Sequence, residues 1–176
     1  MNARWRGVVG VGFLLMVSAA APLWADDTQL TIDSPAFHDR KPIPAESALQ
    51  GGNKSPMLVV SGVPEAAKSL VLIVDDPDAP AGLWTHWLVW NIAPSTTAIG
   101  QAHVPRGAVE GTNSFGNVRY DGPAPPSGTH RYFFHVYALD TKLALERGAS
   151  RDELEAAMEG HVVGTAQFYG TYSANP

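Results

Sequence analysis

Three carboxylates and one histidine lie close together in the segment Asp75–Trp87, which reads DDPDAPAGLWTHW. Such a group could form a metal loop, half of a hydrolytic site or the rim of a pocket for anions. An EF-hand calcium loop needs oxygen ligands at its first, third and fifth positions and an acid at its twelfth. Counted from Asp76, the fifth position is Pro80 and the twelfth is Trp87, so the pattern excludes such a loop. The spacing is also explained by a strand that ends in a proline-stiffened turn.

Strand alternation predicts which side chains accompany the histidine of this segment. In a strand that begins at Trp84, successive side chains point to opposite faces of the sheet. One face would carry Trp84, His86, Leu88 and Trp90, and the other would carry Thr85, Trp87 and Val89. A histidine on such an apolar face is either a hydrogen-bonded core residue or a ligand-binding residue, and the spacing alone favours the core residue.

His130 opens a later strand, HRYFFHVYAL, and shares its predicted face with Tyr132. His135 lies on the opposite face, so the two histidines cannot serve one site unless a bulge intervenes. Asp76, His86 and His130 could in principle form a metal triad of one carboxylate and two imidazoles. No local spacing enforces that triad, unlike the two histidines four residues apart on a zinc-binding helix. We therefore predict no metal.

Nucleophilic and nucleotide-binding sites are not indicated by any motif. The chain has no cysteine, and Ser61, Ser114 and Ser127 lie outside any Gly-x-Ser-x-Gly elbow. The glycine-rich run GTNSFGNVRYDGPAPPSG fits neither the dinucleotide fingerprint nor the phosphate-binding P-loop. It overlaps YDGPAPPSGTHRY, where three prolines fix φ and lack N–H groups. That stretch is either a rigid surface loop or a preformed pocket wall whose backbone and hydroxyl donors meet an oxyanion.

The elements predicted around these residues are mostly strands. Fourteen prolines and seventeen glycines divide the chain into short runs rich in β-branched and aromatic residues, which is typical of an all-β domain. Strands are predicted at 57–63, 69–76, 85–92, 130–139 and 166–172, the first two apolar enough to be covered on both faces. The long loop 94–129 should be functional or contain short strands. Ser150 and Glu153 form a capping-box pattern before a helical apolar stripe that runs from Leu154 to Val162.

The N-terminal sequence predicts that the protein is exported from the cytoplasm. Arg4 and Arg6 precede a short apolar run, and Ala25 is a small residue at a suitable cleavage point. This is the pattern of a secretory signal peptide over residues 1–25, followed by one domain over 26–176. Loss of the leader removes two arginines and takes the net charge from −5 to −7, which argues against nucleic acid as a partner. We expect a periplasmic or secreted protein without stable membrane insertion.

Five segments together resemble the phosphatidylethanolamine-binding proteins, and more closely their bacterial Raf-kinase-inhibitor-like branch. In chain order they are SPMLVVSGVP, LIVDDPDAP, WTHWLVWNI, GTNSFGNVRYDGPAPPSGTHRYFFHVYALD and AMEGHVVGTAQFYGTY. The resemblance extends from about Leu30 to Tyr172, and its Asp-Pro-Asp-Ala-Pro and Gly-Thr-His-Arg-Tyr boxes are specific. It implies a mainly β fold of two antiparallel sheets with Greek-key topology and a few short peripheral helices. It also implies a small surface pocket for phosphate-like or carboxylate groups.

The resemblance further implies which residues bind the ligand. Position by position, they are Asp76, Asp78, Pro80, Trp84, His86, Gly122, Ala124, His130 and Tyr132. The chain departs from the bacterial branch at Val60, where tryptophan is common, and at Ala124, where cysteine is common. Eukaryotic members place a C-terminal helix beside the pocket, so a chain that ends in TYSANP predicts a pocket more open on that side.

The residues and the resemblance together predict a binding protein without catalytic residues or a cofactor. Its expected partner is a small anionic ligand: phosphate, a phospholipid head group or a carboxylate. At least one imidazole must then donate an N–H or carry a proton, so binding should depend on pH. Asp76 would orient a histidine and favour its charged form. A protease inhibitor or other protein-interaction module that uses the stiff proline loop is the alternative, and a hydrolase or metalloenzyme is a third hypothesis.

Overall fold

The computed structural model describes residues 29–174, so the predicted leader lies outside the described residues. Within that range, two antiparallel sheets and one α-helix make up the domain. The strands are β1 Thr31–Asp33, β2 Leu58–Ser61, β3 Ser69–Asp76, β4 Trp84–Ile92, β5 Ala98–Ile99, β6 Val109–Glu110, β7 Thr129–Leu139 and β8 Val162–Ser173. The helix α1 spans Arg151–Met158, and a 3₁₀ turn spans Ala45–Ser47. No helix of this part of the chain is long and apolar enough to cross a membrane.

The domain is built in three layers. The smaller sheet has the strand order β1–β2–β5, and the larger sheet has the order β6–β4–β3–β7–β8. One apolar cluster fills the space between the sheets, with Ile32 and Leu58 from the smaller sheet and Leu72 and Phe134 from the larger. A second cluster packs α1, through Leu154, against the other face of the larger sheet. Removal of this apolar surface from water is the main force that holds the layers together.

Burial along the strands follows from these layers. β3 is buried at all eight positions, because it has a strand on each side and a layer on each face, as its continuous apolar sequence predicts. β2 instead alternates: Leu58 and Val60 are buried, whereas Val59 and Met57, the residue just before the strand, are each 39% exposed. The prediction that both faces of 57–63 are covered is therefore wrong. The outer face of the smaller sheet meets solvent, so only one face of β2 contributes to the core.

A β-bulge in β4 overturns the predicted alternation. Val74 pairs with Trp87, but the next residue of β3, Asp75, pairs with Thr85, which leaves His86 as the extra residue of the ladder. The cluster between the sheets therefore receives Trp87 and Val89, and the cluster under the helix receives Leu88 and Trp90. The prediction that His86 shares a face with Leu88 and Trp90 is wrong, because the inserted residue shifts the strand by one position.

The remaining predicted elements are confirmed with two corrections. The long loop contains the short strands β5 and β6, and the capping box of α1 is present with both of its reciprocal hydrogen bonds. The helix ends at Met158, so His161 and Val162, the last two residues of the predicted stripe, are not helical. Gly160 follows the helix with φ of +77°, a conformation that ends helices readily. β8 begins at Val162, four residues before the predicted start.

The sheet topology brings three distant chain segments to one place. β3 is antiparallel to both of its neighbours, so its last residues lie beside the first residues of β4 and β7. Asp76 pairs with Trp84, and Asp75 pairs with Phe133. The two sequence boxes, more than forty residues apart, therefore meet at one end of the larger sheet.

Candidate functional site

A cavity of about 250 Å³ opens at this end of the larger sheet. The residues that line it are Asp76, Ala79, Pro80, Ala81, Trp84, His86, Phe115, Ala124, Pro126 and Tyr132. Six of the nine predicted ligand-binding residues are among them: Asp76, Pro80, Trp84, His86, Ala124 and Tyr132. The other three, Asp78, Gly122 and His130, are not part of the lining.

Asp76 is the one carboxylate in the cavity lining, and it is 3% exposed. Its Oδ2 accepts a hydrogen bond from His130 Nδ1 at 2.7 Å. Its Oδ1 accepts a hydrogen bond from the backbone N–H of Asp78 at 2.8 Å. Both carboxylate oxygens therefore already have a donor. The prediction that Asp76 orients a histidine holds for His130, which supports Asp76 without lining the cavity.

Asp78 fastens the loop after β3 to the start of β7. Its Oδ2 accepts hydrogen bonds from the backbone N–H and from Nε of Arg131, each at 2.9 Å, and its Oδ1 accepts one from Nη2 at 2.6 Å. The guanidinium of Arg131 lowers the pKa of the Asp78 carboxyl to about 2. A two-pronged guanidinium–carboxylate pair fixes orientation as well as charge. Asp78 thus positions the loop that carries Pro80 into the cavity wall.

The tautomer of His86 follows from its hydrogen bond. His86 is 2% exposed, and its Nδ1 lies 2.6 Å from the backbone carbonyl oxygen of Asp121. A carbonyl oxygen only accepts, so Nδ1 carries the proton and donates it. Nε2 is then an unprotonated acceptor in the neutral ring, and it makes no hydrogen bond to any residue of the range 29–174. Burial lowers the pKa of His86, although the Asp121 carbonyl and the carboxylates of Asp76 and Asp121 oppose this effect.

Asp121 holds this arrangement together and was not singled out by the sequence analysis. Its side chain is fully buried. The donors to its two carboxylate oxygens are Asn53 Nδ2 at 2.9 Å, Arg119 Nε at 3.0 Å, Asn113 Nδ2 at 2.9 Å and Asn117 Nδ2 at 2.8 Å. Burial raises the pKa of Asp121, but the three asparagine hydrogen bonds outweigh burial and leave the pKa below its usual range. The backbone of Asp121 also binds His86 twice. Its N–H donates to the His86 carbonyl at 3.1 Å, and its carbonyl accepts from Nδ1 of His86 at 2.6 Å.

Four aromatic rings form a continuous chain along the cavity. Trp84 contacts Phe115 with ring centroids 5.5 Å apart, Phe115 contacts His86 at 5.4 Å, and His86 contacts Tyr132 at 5.1 Å. Each contact is edge-to-face, the arrangement that aromatic quadrupoles prefer. The hydroxyl of Tyr132 is buried close to the Asp76 carboxylate and the Ala124 backbone N–H, but no hydrogen bond of ordinary geometry joins it to a described residue. Burial raises the pKa of this hydroxyl, so it is a proton donor at neutral pH.

The proline loop Pro123–Pro126 forms one wall of the cavity through Ala124 and Pro126. Gly122, at its start, packs away from the cavity. A Cβ at this position would lie 1.9 Å from the backbone oxygen of Ser47. Gly122 therefore permits close packing of the loop on the 3₁₀ turn, rather than close approach of a ligand.

Asp75, at the end of β3, belongs to a separate ion-pair network on the opposite face of the sheet. Asp75 accepts a hydrogen bond from Nη1 of Arg151 at 2.9 Å, and Nε2 of His135 lies 3.4 Å from its other oxygen. Burial raises the pKa of Asp75, but His135 and Arg151 outweigh burial and lower it. The prediction that His135 faces away from His130 is confirmed. Within residues 29–174, no group of three or more acidic, histidine or cysteine side chains is arranged to hold a metal ion.

Comparison with known proteins identifies relatives of this chain. The family model named Phosphatidylethanolamine-binding protein matches residues 33–173. A UPF0098 protein from Methanothermobacter thermautotrophicus is 49% identical over 148 residues, which cover 81% of this chain and 98% of that protein. A UPF0098 protein from Chlamydia trachomatis is 43% identical over 148 residues, with the same shares covered. These names state no enzymatic activity.

Two solved structures have the same fold. The crystal structure of a phosphatidylethanolamine-binding protein homologue from Chlamydia trachomatis matches with a TM-score of 0.81 and 42% identity, over 84% of this chain and 99% of that chain. Escherichia coli YbcL, described as a new member of the mammalian PEBP family, matches with a TM-score of 0.79 and 31% identity over the same shares. On the family model, the relatives and the fold together, the chain belongs to the phosphatidylethanolamine-binding protein family.

Proposed function

We propose that this protein binds the phosphate-like or carboxylate group of a small ligand in the cavity at the end of the larger sheet. The observation that carries the proposal is the hydroxyl of Tyr132, a buried group of a lining residue that makes no hydrogen bond of ordinary geometry although Asp76 and the Ala124 N–H lie close to it. A buried polar group left unpaired costs about 1 to 3 kcal/mol, so an acceptor supplied by a ligand would remove that cost. The free Nε2 of His86 supplies a second polar contact in the same cavity.

The charges around the cavity determine the protonation state of the bound anion. The lining contains no lysine or arginine, and its one carboxylate belongs to Asp76. Because Nδ1 of His86 already donates, Nε2 can donate to an anion only if the ring gains a second proton. Alternatively, the ligand brings a P–OH or a carboxylic O–H that donates to Nε2. Either route needs one proton, which is taken up from solution only where neither the ligand nor the ring already carries it. Affinity should therefore rise about tenfold for each unit by which pH falls above the relevant pKa.

Binding without turnover and without a cofactor is part of the proposal. The lining residues include no serine, cysteine or lysine that could attack a bound ester. We also propose that the leader over residues 1–25 delivers the protein to the periplasm or the exterior, where it would meet its ligand.

Calorimetric titration with inorganic phosphate and with acetate, at pH 5.5 and pH 7.5, tests the binding proposal. Titrations in buffers of different ionisation enthalpy give the number of protons taken up. We expect about one for acetate, and fewer for phosphate at pH 5.5, where the ligand already brings its P–OH. Absence of binding at both pH values with millimolar anion would refute the function.

Two variants assign the binding to this cavity. We expect Tyr132→Phe, which removes only the hydroxyl, to weaken binding at both pH values. His86→Gln should weaken binding and remove most of its pH dependence. His103→Gln is the matched control, because His103 is exposed and outside the cavity lining. If the control weakened binding as much as the two cavity variants, the anion would bind elsewhere.

A further inference from the structure

We infer that the free edge of β8, at Thr165 and Gln167, binds an extended basic segment of a partner protein as an added strand. This edge is a different surface from the anion cavity, and the inference does not depend on the proposed function. β8 is an edge strand of the larger sheet, which has the order β6–β4–β3–β7–β8. The main-chain groups of β8 that point away from β7 therefore decide what can pair with it.

The C-terminal half of this edge is already covered by an extended segment of the same chain. The N–H of Thr171 donates to the carbonyl of Lys41 at 3.0 Å, and the carbonyl of Tyr169 accepts from the N–H of Arg40 at 2.7 Å. The N–H of Tyr169 donates to Oδ1 of Asp39 at 3.1 Å. The edge thus accepts main-chain pairing from an added segment, and that pairing stops at Tyr169.

The next two residues with outward-pointing main-chain groups are Gln167 and Thr165. Alternate residues of an antiparallel strand direct these groups to the same side, so both share the orientation of Tyr169. Both are exposed, and within residues 29–174 no hydrogen bond joins their main-chain groups to another residue. Natural edges are commonly blocked by lysine, proline or a bulge. Here the bulge lies farther along, opposite Ala138 and Leu139, so one N–H and one C=O of each residue stay open.

A cavity lies on each face of the sheet beside this open edge. Thr165, Ala166 and Gln167 line both cavities. The cavity of about 490 Å³ extends to β1, on the side of the smaller sheet, and the cavity of about 250 Å³ extends to His135 and Tyr137, on the side of α1. Successive side chains of an added strand point to opposite faces. The edge therefore offers both elements of recognition by strand addition, which are main-chain partners and pockets for alternate side chains.

The larger cavity favours a basic side chain. Its floor is apolar and includes Leu30, Ile32 and Phe168, which are 4 to 5% exposed. Its charged lining residues are both acids, Asp33 and Asp39. A lysine or arginine side chain fits this combination, since its methylene stem covers apolar surface while its cationic end meets a carboxylate. We therefore expect basic residues at every second position of the bound segment.

A basic segment is a better occupant than a second copy of this chain. Pairing of two β8 edges would bring no cation to the cavity, because neither cavity lining contains lysine or arginine. The acids of the two copies would approach each other instead, and like charges repel. Arg40 does pair with Asp39 at 3.3 Å, but its side chain is 73% exposed, and such a pair contributes little.

Two pentapeptides of opposite charge test the choice of partner. Calorimetry at pH 7.5 and low ionic strength would compare acetyl-KVKVK-amide with acetyl-EVEVE-amide. We expect the lysine peptide to bind at least about tenfold more tightly, and the ratio to fall in molar salt, which screens exposed charges. Asp33→Asn should reduce the ratio about two- to threefold. Asp152→Asn is the matched control, since Asp152 is exposed on α1 and lines neither cavity, and it should leave the ratio unchanged.

N-methylation of the lysine peptide separates strand addition from attraction between charges. Methyl groups on the valine amides, or on the lysine amides, remove the donors along one edge of the peptide and leave every side chain in place. With the lysines on the side of β1, the valines donate to β8 in antiparallel addition and the lysines donate in parallel addition. We expect one methylated peptide to lose binding and the other to bind within about twofold of the parent peptide. Equal binding of the two would overturn the inference.

Hydrogen exchange locates the bound peptide on the protein. The amides of Thr165 and Gln167 should exchange rapidly in the free protein and slowly with acetyl-KVKVK-amide bound, whereas the Thr171 amide, already bonded to Lys41, should be slow in both. Protection of Thr165 and Gln167 without the peptide would mean that a second copy or another part of the chain occupies the edge, and it would overturn the inference. Absence of binding by millimolar lysine peptide would overturn it too, and would leave the anion-binding proposal standing.

Discussion

Replacement of Asp121 by asparagine should destabilise the protein strongly, although Asp121 does not line the cavity. The carboxylate accepts four hydrogen bonds, two on each oxygen, and its side chain is fully buried. Asparagine has nearly the same shape but offers only one acceptor oxygen. In either orientation of the amide, its NH₂ group meets two donors that previously met a carboxylate oxygen. Asp121→Asn therefore loses two hydrogen bonds and leaves donors facing donors.

The size of the effect depends on which of the four donors can form a hydrogen bond to water after the substitution. A hydrogen bond to a charged acceptor contributes about 1.5 to 3 kcal/mol. The Arg119 side chain is 61% exposed, so its guanidinium can be solvated after the change. Asn113 is only 4% exposed and has no such route. We therefore expect a loss of about 3 kcal/mol in the free energy of unfolding, or roughly 6 to 12 °C in Tm at 2 to 4 °C per kcal/mol.

Urea unfolding monitored by tryptophan fluorescence measures this loss directly, with Asp152→Asn as the control. Asp152 is an exposed acid in the first turn of α1, so its replacement should cost less than about 1 kcal/mol. Proton NMR would report the second consequence, a shift of the His86 Nδ1–H signal as the Asp121 carbonyl moves. Equal stability of Asp121→Asn and Asp152→Asn would show that the four hydrogen bonds do not hold the loop, and the reasoning would fail.

Three further predictions concern other parts of the molecule. Burial holds the folded-state pKa of His86 below its unfolded value of 6.5, so the unfolded state binds more protons. The Tm should therefore fall as pH drops below about 6.5. The fall should be less steep in His86→Gln. Gly122→Ala places a Cβ 1.9 Å from a backbone oxygen and should cost several times more in urea unfolding than Gly100→Ala, whose nearest contact is 3.5 Å away. N-terminal sequencing of the exported protein should begin at Asp26, and a retained Met1 would refute cleavage.

The sequence was sufficient for the elements that repeat a local pattern. β3 reads as a continuous apolar run because it is buried on both faces, and the helix start is encoded locally by Ser150 and Glu153. The meeting of Asp76 with His130 could be predicted from the resemblance, since no local spacing relates residues 54 positions apart. These successes rest on burial, capping and family pattern.

Other features depend on tertiary contacts that no local pattern records. Alternation fails at His86 because a bulge depends on how two strands pair, not on the sequence of one of them. Phe115 and Asp121 sit in a loop rich in glycine, asparagine and proline, and such composition indicates a loop without indicating which side chains turn inward. The one available signal was a large apolar residue, Phe115, in an otherwise polar run.

The bulge at His86 and the buried Asp121 together fix the position and the tautomer of the His86 ring. Insertion of His86 into β4 places its side chain on the side of the cavity, but it also removes its main chain from regular pairing with β3. The backbone of Asp121 instead binds both the main chain and the side chain of His86, since its N–H donates to the His86 carbonyl at 3.1 Å and its carbonyl accepts from Nδ1 at 2.6 Å. That second bond decides the tautomer and therefore the proton requirement for an anion at Nε2. The loop that supplies Asp121 also supplies Phe115 to the cavity lining, so one loop forms part of the cavity wall and sets the proton requirement of the proposed site.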